Sequence, residues 1–77
     1  MNIDIVNLID MLYSHNYTIL IKSIGVYMSN IDDDDLKNLY EDIVWSYILN
    51  NMLVCRNNII SFIKTLHNLH NLQILSK

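Results

Sequence analysis

The chain has 77 residues, 52% of them apolar and 17% charged, with a formal net charge of −3. That length allows one small helical domain, residues 1–77, and that apolar content excludes intrinsic disorder. It also leaves a surplus: 40 apolar residues exceed what so small a core can cover, so some are expected to meet a second subunit or a partner.

Helical spacing runs along the whole chain and predicts an all-α fold, a compact bundle of four short helices. Between Ile3 and Ser14, the residues Ile5, Val6, Leu8, Ile9, Leu12 and Tyr13 fall on one broad stripe, with Asp4, Asn7, Asp10 and Ser14 outside it. The polar turn Ser14-His15-Asn16 ends this first helix. A second is predicted from Tyr17 to Met28, with Tyr17, Leu20, Ile21, Ile24, Tyr27 and Met28 on one face and Ile19 and Val26 opposite, beside Lys22. The run Tyr17 to Ile21 is rich in strand formers, yet helical spacing continues past it.

Ser29-Asn30-Ile31-Asp32 reads as a helix start, with Asp32 to Asp35 where the positive end of the helix dipole favours acids. The third helix is predicted from about Asp33 to about Asn50. Its first half carries a clean stripe of Leu36, Leu39, Tyr40 and Ile43. In its second half Val44, Tyr47 and Ile48 extend that stripe, while Trp45, Leu49 and Met52 occupy the far side. A helix apolar on both faces is covered on both faces. Trp45, Leu49 and Met52 are therefore assigned to a dimer or partner interface; the alternative is a third helix central to the monomer, with both faces in the core.

Residues 52–62 admit two structures. A β-hairpin near residues 53–62 would turn at Asn57-Asn58, where both residues tolerate positive φ, and with the preceding helix would resemble a winged helix. The preferred alternative is a loop near Arg56 followed by a fourth helix from Asn58 to about Asn71, because Ile59, Phe62, Ile63 and Leu66 continue at helical spacing. The tail Leu66, Leu69, Leu72, Leu75 repeats every third residue and drifts round a helix.

Chemistry-bearing residues are few. Asp32 to Asp35 lacks the alternating acids, glycine turn and distal Glu of a calcium loop, and is read as a solvated helix start. His67 and His70 stand three apart, a spacing that can serve one metal, but two ligands do not make a site and no metal is assigned. Cys55 beside a histidine is the only conceivable nucleophile and base pair, and Gly25 is the sole glycine, so no oxyanion or phosphate loop is present. No catalytic residue and no cofactor follow, and an enzyme is not expected.

All eight acids lie at or before Asp42. Residues 1–42 carry them against Lys22 and Lys37, net −6, and residues 43–77 carry Arg56, Lys64 and Lys77, net +3. The two halves are expected to pack on each other or on the opposite halves of a twin subunit. Three cations without interleaved aromatics are a weak footprint for nucleic acid. No basic and apolar leader stands at the N-terminus, no stretch is long enough and apolar enough to span a bilayer, and one cysteine suits a reducing compartment, so a soluble cytoplasmic chain is expected.

Gly, Ala, Pro and Arg together number 2, whereas Phe, Tyr, Met, Ile, Asn and Lys number 38, a bias imposed by an A/T-rich genome. With Asn (11) well above Lys (4), the composition resembles that of small proteins of large A/T-rich DNA viruses, poxviruses among them. The expected function is a small non-enzymatic protein–protein interaction module, homodimeric and cytoplasmic in a host cell, an accessory protein of such a virus. Two alternatives are a winged-helix or helix-turn-helix nucleic-acid module and an acidic inhibitor that mimics phosphates.

Overall fold

In a computed structural model, residues 3–75 are described, with side chains as far as residue 71. Four helices follow one another, α1 (Ile5–Tyr13), α2 (Tyr17–Met28), α3 (Asp34–Ile48) and α4 (Met52–Leu75), and no strand occurs among the described residues. The chain is thus an all-α four-helix bundle.

Each boundary has a local cause. The Asp4 carboxylate accepts from the Val6 amide at 3.0 Å and caps α1, and the Asp33 carboxylate accepts from the Leu36 amide at 3.0 Å and caps α3. Asp34 and Asp35 fill the first turn of α3, where the helix dipole favours them. Two helices end in the same motif. His15 and Asn50 both adopt φ 57°, and the amides beyond them, Asn16 and Asn51, donate back to the Met11 and Ser46 carbonyls at 2.9 Å. These are Schellman ends with His and Asn at the left-handed position that glycine usually fills. The second is followed at once by α4, whose Cys55 amide donates to the Asn51 carbonyl at 2.9 Å.

That turn replaces the loop expected near Arg56 and the alternative hairpin near residues 53–62. The chain reverses at Leu49-Asn50-Asn51 and is helical again from Met52, so α4 begins well before Asn58 and runs through Leu75 rather than to Asn71.

The helices form a closed ring in which each packs on its neighbours in sequence and α4 returns to α1; the backbones of the diagonal pairs stay apart. Neighbours run antiparallel: Thr18 at the start of α2 meets Tyr47 at the end of α3, and Gly25 meets Tyr40. The core is Leu8, Leu12, Leu20, Ile24, Met28, Leu36, Ile43, Cys55, Ile59, Phe62, Ile63 and Leu66. Burying each large aliphatic chain contributes about 1.5–3 kcal/mol. At 24 residues α4 is about 36 Å long, against about 14 Å for α1, which accounts for the 41 Å long axis of the molecule.

The stripe on α2 is as expected, with Leu20, Ile24 and Met28 buried and Ile19 and Val26 exposed. Two others are narrower. On α1 the buried residues are Leu8 and Leu12, while Val6 and Tyr13 are 65% and 70% exposed. On α3 Ile48 is exposed, and Tyr47 reaches solvent with its hydroxyl 2.7 Å from Thr18 Oγ1. A bundle helix packs on only two neighbours here, so the outer third of each broad stripe has nothing to cover it.

Candidate functional site

The most extensive helix contact in the molecule is between α3 and α4, and small polar side chains make it possible. Ser46 is buried, and its hydroxyl is 2.7 Å from the Asp42 carbonyl and 2.9 Å from that of Ile43. From α4 the Asn58 amide donates to the Asp42 carbonyl at 3.2 Å and approaches Ser46 Oγ at 3.4 Å. The Cys55 thiol lies 3.7 Å from the Ile43 carbonyl. Burial pushes the pKa of this thiol above its ordinary value, with the nearby Ser46 hydroxyl pulling the other way. A thiol held protonated and fully covered is a poor nucleophile.

With Ser46 turned inward, its neighbours turn outward. Trp45 is 63% exposed and Leu49 71% exposed, so neither belongs to the core of the monomer. Met52 differs: it is half-buried and packs against the core. Ile48, at the end of α3, is exposed as well, and the turn at Asn50-Asn51 adds the exposed Leu53 and Val54 from the start of α4. Trp45, Leu49 and Val54 line one shallow groove of about 360 Å³, floored by Ser46 and edged by Asp42, Asn51 and Asn58. From Ile43 to Cys55 there is no charged residue. Spacing on α3 singles out Trp45 and Leu49, and Ile48 ends the same helix, but Leu53 and Val54 join them only because of the turn, for which the paired asparagines, tolerant of positive φ, are the signal.

The other singled-out residues are scattered. Among the described residues no three His, Cys, Asp or Glu side chains gather as a metal site would require. His67 is exposed, its Nε2 3.3 Å from the Asn71 amide, and His70 is half-buried. Asp32 meets Lys37 at 3.2 Å, with the Asp32 side chain 98% exposed, a pair of small energetic value. Among the described residues this is the only ion pair, and both partners belong to the acidic half. Among those residues, then, the oppositely charged halves form no ion pair with one another. Arg56 instead stands over the Tyr13 ring, 6.0 Å from its centre. No helix among the described residues is long and apolar enough to cross a membrane. Burial, and to a smaller extent the charge of Asp33, raises the Tyr27 hydroxyl above its ordinary value.

Comparison with known protein families, with curated proteins and with solved structures finds no match to this chain.

Proposed function

We propose that this chain is a small non-enzymatic protein–protein interaction module that pairs with a second copy of itself through the α3–α4 corner. The observation that carries this is the exposure of Trp45, Ile48, Leu49 and Leu53, each more than 60% exposed, on one corner of the molecule. Contact that covers them removes a large apolar area from water and returns several kcal/mol. Tryptophan suits the centre of such a contact because it buries much area with few rotatable bonds. A twofold pairing brings each patch against its own copy, where like charges would oppose one another. Apart from Asp42 at the edge of the groove, the patch is drawn from the uncharged stretch Ile43 to Cys55, which is compatible with that self-contact. The A/T-driven composition and the single buried thiol support an accessory role for an A/T-rich DNA virus in the host cytoplasm.

Sedimentation at micromolar concentration is expected to give about twice the chain mass of 9.1 kDa. Trp45→Ala with Leu49→Ser is expected to leave the circular dichroism of the helices intact and to convert the dimer to monomer. A wild-type monomer across that range overturns the pairing, and a variant that still dimerises moves the contact to another face.

A further inference from the structure

A second surface lies on the opposite side of α4, where α1 packs antiparallel against it. Two shallow clefts share Ile9, Ile63 and Lys64 and so form one continuous groove. Its volumes are about 390 and 270 Å³. The floor is apolar, made by Ile5 and Ile9 of α1 and Ile60 and Ile63 of α4. The α4 wall carries Arg56 at one end, Lys64 in the middle and His67 beyond it, and among the described residues no carboxylate lines the groove. Arg56 and Lys64 make no ion pair with any described residue, and Lys64 is exposed. Arg56 is poised by Tyr13, whose ring lies below its guanidinium and is itself 70% exposed.

We infer that this groove binds an acidic amphipathic helix of another protein. Three features select that occupant. The first is length: from Arg56 to Asn68 the wall extends twelve residues, about 18 Å, or a little over three helical turns. The second is shape, since two antiparallel helices leave between them the furrow into which a third helix sets its side-chain ridge. The third is charge complementarity. An apolar stripe on the incoming helix meets the isoleucine floor, and carboxylates two turns apart on one flank meet Arg56 and Lys64, which are eight residues apart on α4. Within the chain the groove's cations are left to an outside partner: Lys37 pairs with Asp32, Asp33 caps α3, and no described carboxylate reaches Arg56 or Lys64. The groove shares no lining residue with the corner formed by Trp45, Leu49 and Val54, so it is independent of self-association.

The test uses a fluorescent synthetic helix of about 14 residues, four turns, with a leucine stripe flanked by glutamates, and a twin with lysines in their place. Anisotropy with the full chain is expected to show micromolar binding of the glutamate peptide, weakening as salt rises, and at least tenfold weaker binding of the lysine peptide. Arg56→Glu with Lys64→Glu is expected to lose about tenfold or more of the affinity, while Lys22→Glu, on an exposed face of α2, loses less than about twofold. Both variants change exposed or half-exposed charges, and unchanged circular dichroism verifies that each is folded. Equal binding of both peptides, failure to bind the glutamate peptide, or indifference to the double reversal overturns the inference. So does binding to vesicles rich in phosphatidylserine without binding to the peptide, which would assign the cationic wall to a membrane surface. The Trp45→Ala, Leu49→Ser variant is expected to bind the peptide as the wild type does, whatever its own oligomeric state.

Discussion

The two halves of α3 obey different rules. From Asp34 to Glu41 one face is charged and solvated, and the other turns Leu36, Leu39 and Tyr40 toward the bundle. From Asp42 onward apolar residues surround the helix, and the bundle accepts Ile43 and Ser46 while leaving Trp45, Ile48 and Leu49 outside. In the first half hydrophobicity decides which side faces inward. In the second it cannot, because apolar residues lie on nearly every side and yet the polar Ser46 is buried, and volume decides instead: where α3 packs on α4, the small Ser46 and Cys55 side chains lie inside and the large Trp45 lies outside. The face rejected by the core becomes the surface available to a partner.

The strongest way to break this comparison is to remove one leucine from each half. Leu36 is 1% exposed, so Leu36→Ala deletes buried volume and is expected to cost about 2–5 kcal/mol. In a chain this small, that consumes much of the stability available. Leu49 is 71% exposed, and Leu49→Ala is expected to change stability by less than about 0.5 kcal/mol at concentrations where the chain is monomeric. Urea unfolding followed by circular dichroism reads both. A comparable loss from Leu49→Ala would place that side chain in the core and remove the distinction between the halves.

Much of the fold was legible in the sequence where polar and apolar residues alternate sharply. The α2 face and the α3 start at Asp33 were found because Lys22, Ser29 and the aspartates punctuate the pattern. Legibility failed where punctuation misled. Asn57-Asn58 inside an apolar run looked like a break, yet Asn58 is a half-buried helical residue whose amide ties α4 to the Asp42 carbonyl. The true break, Asn50-Asn51, carries no glycine or proline, and asparagine marks it only through its tolerance of positive φ. Trp45 and Leu49 were legible as a second face, but that face gains Leu53 and Val54 only once the turn is known. Met52, close to Leu49 on an imagined continuous helix, falls instead on the inner side of α4.

A sharper version of the comparison concerns one turn of α3. If volume rather than polarity places Ser46 inside, then making that position more hydrophobic harms the protein. Ser46→Leu is expected to force α3 and α4 apart, to deprive Asn58 of a partner and to cost about 1–3 kcal/mol. Trp45→Ala, one residue away, removes far more apolar surface and is expected to leave the monomer close to wild-type stability. Urea midpoints measured at a concentration that keeps the chain monomeric distinguish the two. A stabilised Ser46→Leu variant would mean that the seam has room to spare and that hydrophobicity governs this half of the helix after all.

The smallest effect tests what holds the corner itself. His15 and Asn50 occupy equivalent positions at the ends of α1 and α3, with the same φ of 57° and the same backward hydrogen bonds. A left-handed conformation costs an ordinary residue about 1–2 kcal/mol, and asparagine tolerates it better than histidine because its short polar side chain interacts locally with the backbone. Glycine removes that cost and gives part of the gain back through its greater freedom in the unfolded chain. His15→Gly is therefore expected to stabilise by about 0.5–1 kcal/mol, raising Tm by a few degrees, and Asn50→Gly by about half of that or less. The loss of the exposed 3.4 Å contact between His15 and the Tyr17 hydroxyl subtracts little. Thermal melts of the two variants side by side give the order. If Asn50→Gly gains as much as His15→Gly, then asparagine carries no advantage at this position, and the turn that assembles Trp45, Leu49, Leu53 and Val54 is held by the α3–α4 seam rather than by its own residues.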